Sequence, residues 1–119
     1  MFGSIAGAES TLLAFDDHGV VSVAMTEAPH GTAPALEGKN VANPMAMILA
    51  VASLLGYMMG DDARTASRAI YESVLEAVST GTRTADLGGQ ASTTDFTDDV
   101  IRRVKTKIDV WSALADVQR

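Results

Sequence analysis

What most constrains this chain is an irregular stretch of about fifteen residues, set between an apolar strand and an apolar helix, which a compact domain seldom keeps without a use for it. Val20 to Met25 (V-V-S-V-A-M) is apolar and rich in β-branched residues, and reads as a short buried strand. Asn43-Pro44 opens a long apolar helix, with Asn as N-cap and Pro at the first helical position. Glu27 to Pro44 (E-A-P-H-G-T-A-P-A-L-E-G-K-N-V-A-N-P) lies between them and has no period of either kind.

The residue types in that connection suggest ligand binding. His30 carries a flat ring with one donor and one acceptor, Gly31 lets another group approach the backbone, and Thr32 adds a hydroxyl. Pro29 and Pro34 stiffen the two sides, and Gly38 permits a second reversal. The connection delivers the free amides of a helix N-terminus, a favourable place for an anion. An aromatic ring joined to phosphates would suit such a strand, loop and helix. The residues alone also allow a plain surface connection ending in a capped helix.

The same residues resemble a known family, the NAD(P)-dependent β-decarboxylating dehydrogenases that act on isocitrate, 3-isopropylmalate, homoisocitrate and tartrate or D-malate. Their adenosine loop is written H-G-(S/T)-A-P-x-x-x-G-x-x-x-A-N-P, and His30 to Pro44 matches it without a gap. Gly81-Thr82-Arg83-Thr84-Ala85-Asp86-Leu87-Gly88-Gly89, followed by Ala91-Ser92-Thr93, is similar to the family's G-x-R-T-x-D-L-G-G segment. The resemblance implies an α/β fold: a helix-rich fragment of a three-layer αβα, isopropylmalate-dehydrogenase-like domain, with two or three strands. It implies a single domain over 1–119, with the adenosine loop at 27–44, a second adenosine-side loop at 81–93 and no family counterpart for the tail at 109–119.

Roles carry over on the same terms. The counterpart of His30 stacks on or bonds adenine, that of Asn43 reads the adenine edge, and Gly31, Thr32 and Ala33 line the adenosine and phosphates. Glu27 is placed near the nicotinamide, and Asp86 on the second loop that closes over the adenosine. Where NAD-dependent relatives set an acidic residue after H-G-(S/T)-A-P, and NADP-dependent ones Lys and Tyr, this chain has Ala35 and Leu36. At the second-loop positions that carry Tyr and Arg in the NADP enzymes it has Ala85 and Gly89. No cation awaits a 2′-phosphate, so NAD is expected in preference to NADP, with Glu37 or Asp86 left to take the place of the missing carboxylate.

The family's reaction oxidises a 2-hydroxy acid by hydride transfer and then releases carbon dioxide. It needs metal-binding aspartates, a Lys and Tyr acid–base pair and substrate-clamping arginines. In the family all of these precede the adenosine loop, and none has a counterpart here, so no catalytic or metal residue is expected on this chain. Mg or Mn is expected only in a complete enzyme. Three roles follow: the C-terminal cofactor-binding part of a dehydrogenase, active with a missing N-terminal part; a non-catalytic nucleotide-binding regulatory subunit; or an oligomerisation scaffold whose loop is idle.

Composition narrows the partners. Nine basic against fifteen acidic residues leave a net charge of -6, which argues against nucleic acid or an anionic membrane. Hydrophobic content of 47% is too high for a disordered tail, and the absence of cysteine excludes thiol chemistry. The first residues show no basic region ahead of an apolar run, so a cytoplasmic location is expected.

Three helices are expected after the loop. The first spans Pro44 to Gly60, falls short of the roughly twenty residues a membrane span needs, and should lie buried with its methionines (Met45, Met47, Met58, Met59) as packing. The second begins at Asp61-Asp62 and stops at Gly81, with Ala63, Ala66, Ile70, Val74, Ala77 and Val78 inward. Arg64, Arg68, Glu72 and Glu76 form its wet face, where Arg68 and Glu72 can pair. The third is capped by Thr93 or Thr94 and buries Phe96, Val100, Ile101, Val104 and Ile108. Asp16-Asp17-His18-Gly19 reads as a hairpin turn with His18 in solvent, and Asp109 to Arg119, holding Trp111, as an extension or a short docking helix. So few strands cannot cover the apolar helix, and self-association or pairing with another chain is expected.

Overall fold

The computed structural model describes residues 10–29 and 33–117. Two antiparallel strands, β1 (Ser10–Phe15) and β2 (Val21–Glu27), precede three helices: α1 (Met45–Leu55), α2 (Asp61–Ser79) and α3 (Thr93–Val117). Single 3-10 turns occupy Pro34–Leu36 and Ala85–Leu87, one in each irregular connection. The architecture is α/β and helix-rich.

The hairpin forms where Asp16 leads the turn. Its carboxylate accepts the amides of His18 (2.8 Å) and Val20 (3.0 Å), the local bonding that makes Asp a turn starter. His18 is exposed there, as its place in the sequence suggests. The register pairs Leu12 with Met25, Leu13 with Ala24 and Ala14 with Val23. Because side chains alternate across a strand, Thr11, Leu13, Ala24 and Thr26 share one face. That face lies on α1: the Thr26 hydroxyl donates to the Ala50 carbonyl at 2.7 Å, and Thr11 and Ser53 hydroxyls meet at 3.3 Å.

The opposite face is open, which corrects the expectation that Val20 to Met25 is a buried strand. Leu12 and Val23 are each 62% exposed and Met25 49%. The strand is apolar on both sides, but among the described residues only one helix layer exists to cover it.

The N-cap of α1 is Pro44, one residue later than expected, and Asn43 just before it still caps the helix start, its Oδ1 accepting the Met45 amide at 2.9 Å. The helix ends at Leu55, not Gly60, and buries one side only: Met45, Leu49, Ala50 and Ala52. Met47, Met58 and Met59 are exposed, so of the four methionines of this region only Met45 is core. Apolarity was all the sequence offered here, and Gly56 and Gly60 end a helix that hydrophobic residues alone would extend.

Along α2, Val74 and Ala77 are fully buried, while Ile70 and Val78 are half-buried against the core. The Ser67 hydroxyl donates to the Ala52 carbonyl at 2.6 Å and ties α2 to α1. Arg68 and Glu72 pair at 2.8 Å. The helix stops at Ser79, and its last turn is closed by the amide of Thr80 on the Glu76 carbonyl.

α3 contributes Phe96 and Val100 to a core shared with Met45, Leu49, Val74 and Ala77. Ile101 is 46% exposed instead of buried. Residues beyond Asp109 continue α3 to Val117 without a break, in place of a separate docking helix. Trp111 lies under the Arg68 guanidinium, 5.1 Å from ring centroid to cation, which fastens the far end of α3 to α2. The cap is Ser92, one residue before the expected threonines. Its hydroxyl accepts the Asp95 amide (3.0 Å) and the Asp95 carboxylate accepts the Ser92 amide (3.1 Å), a reciprocal capping pair. No helix among the described residues is long and apolar enough to cross a membrane.

Candidate functional site

The two irregular connections, far apart in sequence, meet in space. The Asn43 amide nitrogen donates to Asp86 Oδ2 at 3.0 Å, and the buried Thr84 hydroxyl donates to Asp86 Oδ1. Asn43 therefore does two jobs at once, capping α1 and holding the second connection. Among the described residues, one amide N–H and one carbonyl lone pair of Asn43 take no part in these two bonds.

The second connection is built to stay in place. Gly88 adopts φ 83, and the amides of Leu87 and Gly89 both donate to the Thr84 carbonyl at 3.0 Å. A Cβ on Gly89 would come 2.0 Å from the Arg83 carbonyl oxygen, so no side chain fits at that position in this conformation. The Arg83 guanidinium turns back onto the Val78 carbonyl at 2.8 Å, and Leu87 packs on the core.

The first connection reverses at Ala33 (φ 45), Gly38 (φ 77) and Asn40 (φ 57). Ala33, Pro34, Leu36, Glu37 and Ala42 line a concavity of about 430 Å³. Among the described residues that line it, Glu37 carries the one charged side chain and none is a cation. Such a surface can hold a flat or sugar-like group and accept hydrogen bonds from hydroxyls, but offers nothing to a phosphate directly at Glu37.

Of the residues singled out by sequence, Asn43 and Asp86 are brought into contact, and Ala33 borders the concavity. Glu27 ends β2, exposed, with no hydrogen bond to Asn43 or Asp86. His30, Gly31 and Thr32 lie outside the described residues. Three residues of the site carried no family role at the outset: Asn40, Thr93 and Thr94. The Asn40 carbonyl accepts the Thr93 amide at 2.9 Å, and its side-chain oxygen accepts the Thr94 amide (3.1 Å) and hydroxyl (3.0 Å). The signal for it was a Gly-Lys-Asn turn, since Asn tolerates the left-handed region.

A second polar group lies elsewhere, between α2 and α3. Arg103 bonds Glu76 (2.8 Å) and Asp99 (3.1 Å), Lys107 bonds Glu76 (2.6 Å), and Arg102 also reaches Asp99. The Lys107 and Arg103 bonds, in that order, hold the Glu76 carboxyl below the usual range. For Asp99, burial acts most strongly and opposes charge, yet bonds from Arg103 and Thr82 and the charges of Arg103 and Arg102 outweigh it and the pKa is lowered. Each cation in this cluster already has a carboxylate, so it serves packing and not an anion. Among the described residues no three of His, Cys, Asp and Glu come together to hold a metal ion.

The fold and the paired connections belong to an α/β dehydrogenase domain, and comparison with known proteins says which. The family model described as isocitrate/isopropylmalate dehydrogenase matches residues 1–100. The chain is similar to a 3-isopropylmalate dehydrogenase of Bacillus cereus, 37% identical over 112 residues, covering 88% of this chain and 31% of the relative. It is also similar to the mitochondrial isocitrate dehydrogenase [NAD] subunit alpha of Macaca fascicularis, 40% identical over 88 residues, covering 73% and 24%. A 3-isopropylmalate dehydrogenase B of Aspergillus niger is 41% identical over 81 residues, covering 68% and 21%. This chain belongs to the isocitrate/isopropylmalate dehydrogenase family. It spans about a third or less of the length of the curated relatives it matches.

Proposed function

We propose that this chain is the C-terminal, cofactor-binding portion of an isocitrate/isopropylmalate-type oxidoreductase, holding the adenosine half of NAD between its two irregular connections. The observation that carries the reading is the Asn43–Asp86 bond, which joins the two motifs of the resemblance at one place on the surface. In this reading His30 meets the adenine face, Asn43 its edge with the valences left after capping, and Gly31, Thr32 and Ala33 the adenosine and phosphates. Glu27, at the end of β2, belongs to the nicotinamide side. The cofactor would accept hydride from C2 of a 2-hydroxy acid. The acid, base and metal ligands for that step would come from an N-terminal dehydrogenase part.

Two features favour NAD over NADP. Asp86 has both carboxylate oxygens engaged by Thr84 and Asn43, whereas Glu37 lines the open concavity. A carboxylate there accepts ribose hydroxyls and repels a 2′-phosphate, and Gly89 has no room for a side chain that would attract one.

Calorimetry of the isolated chain with NAD, NADP, ADP and AMP tests the reading. Heat from NAD, ADP and AMP, with NADP weaker, is the expected result. Heat from none of them would leave an oligomerisation scaffold with an idle loop. Dehydrogenase activity on adding a 2-hydroxy acid, Mn²⁺, NAD and a co-expressed N-terminal part would separate a catalytic portion from a regulatory subunit.

The exposed apolar surface bears on assembly. Besides the open hairpin face, Ile48, Val51, Ile70, Val100, Ile101 and Val104 line a groove of about 400 Å³. Surfaces of this extent are ordinarily covered. Sedimentation at micromolar concentration is expected to give a species larger than the monomer, and a well-behaved monomer would contradict it.

A further inference from the structure

We propose that Asn40 is a positioning residue: it fastens the 33–44 connection to the first turn of α3, and nucleotide affinity depends on that fastening. The inference rests on the reading that this connection receives adenosine, and adds a residue to which the family resemblance assigns no role.

A helix leaves four amides at its start without partners inside the helix. In α3 all four are accounted for. The Ser92 amide bonds the Asp95 carboxylate (3.1 Å) and the Asp95 amide the Ser92 hydroxyl (3.0 Å), both local. The other two, Thr93 and Thr94, are taken by Asn40, which lies 54 positions before Thr94. One residue thus supplies a backbone and a side-chain acceptor to the same helix turn. It can do so only in the left-handed conformation it adopts, φ 57, which Asn enters more readily than other residues with a Cβ. Thr93 returns a bond in the other direction, its hydroxyl donating to the Ala42 carbonyl.

Asn40 stands between the two parts of the first connection that matter. Glu37 and Ala42, on either side of it, line the concavity, and Asn43 follows with its bond to Asp86. Among the described residues, the local backbone bonds of the exposed segment from Glu37 to Ala42 run from the Glu37 amide to the Pro34 carbonyl and from the Lys39 amide to the Leu36 carbonyl. Its place on the molecule is set by Asn40 and the Thr93–Ala42 bond. Release of Asn40 would let that wall sample many conformations, and a ligand would then have to order it on binding. The start of α3 is correspondingly closed to ligands, since its amides are spent on the loop.

Three variants separate backbone from side chain. Asn40→Gly keeps access to the left-handed region and removes the side-chain acceptor. Asn40→Asp keeps both. Asn40→Ala removes the acceptor and strains the backbone. Each is titrated with AMP by calorimetry at a temperature where circular dichroism shows it folded, and amide hydrogen exchange is followed at Thr93 and Thr94 without ligand. Asn40→Gly is expected to bind AMP about tenfold more weakly, with faster Thr94 exchange, and Asn40→Asp to stay within about twofold of the parent. Asn40→Ala should be at least as weak as Asn40→Gly. A lowered melting point alone would not produce this, because affinity is read on folded protein and the Asp variant restores it. Unchanged AMP affinity in Asn40→Gly overturns the positioning role. A flat titration in the parent chain overturns the nucleotide reading, and the positioning role with it, while the exchange rates still report whether Asn40 holds the helix start.

Discussion

Phe96→Ala is expected to remove about 3–5 kcal/mol of stability, the range for emptying a buried aromatic site. Small domains hold only about 5–15 kcal/mol in total, so much of the variant would be unfolded at moderate temperature. Phe96 is fully buried and touches the three helices together, among Met45 and Leu49 of α1, Val74 and Ala77 of α2 and Val100 of its own helix. No neighbouring element can close over the space without moving one helix off another. Ile101→Ala, five residues along α3, provides the contrast: that side chain is 46% exposed and its loss should cost about 1 kcal/mol or less. Urea unfolding of both, followed by circular dichroism, checks the ordering. Equal midpoints would mean that the shared core is not centred on Phe96.

Asp99→Ala is expected to cost about 3 kcal/mol, because removing one member of a buried ion pair strands the other. The Asp99 side chain is 7% exposed, and Arg103, 23% exposed, would be left with the half-exposed Glu76 and the Thr80 hydroxyl. The same cluster fixes a pH dependence. Both carboxyls have folded-state pKa values below their unfolded ones, so the folded chain binds fewer protons in the acid range. Their contribution is complete above the ordinary carboxylate values near 4 and is lost as the pH falls through the depressed folded values. The Arg103 pKa is raised, chiefly by Asp99, so its charge persists throughout and does not shape the acid limb. Melting temperature should therefore be level from neutral pH to about 5 and fall below about 4. The fall should be shallower in Asp99→Ala, and parallel profiles for the two proteins would contradict the account.

This cluster also illustrates what a single sequence can hide. Glu76 stands on a stripe with Arg64, Arg68 and Glu72 at intervals of four, which reads as a wet helix face. The stripe does contain the exposed Arg68–Glu72 pair. One turn further on, the same stripe passes under α3, and Glu76 meets two cations from that helix. Helical periodicity gives the side of a helix but not which neighbour arrives there. Asp99, near the start of α3, is likewise a buried anchor that its place in the sequence does not reveal.

The candidate site divides similarly. The hairpin turn at Asp16, the Asn43 cap and the glycine reversals follow from local backbone chemistry and were legible as such. Asn43 was assigned to a ligand by resemblance, and its bond to Asp86 could not be inferred from either motif alone. Asn40 was passed over because its role exists only when α3 begins beside the loop.

Near-neighbour chemistry along the chain settled the order of the helices, the hairpin turn at Asp16, helix ends to within a few residues, and the family. Those depend on backbone preferences, on side chains reaching two to four residues away and on motifs read in line. Folding in three dimensions decided which apolar faces are covered, that α3 runs unbroken through Trp111, and that two loops 43 positions apart share a hydrogen bond. Such outcomes depend on which surfaces come together, and no local preference records that.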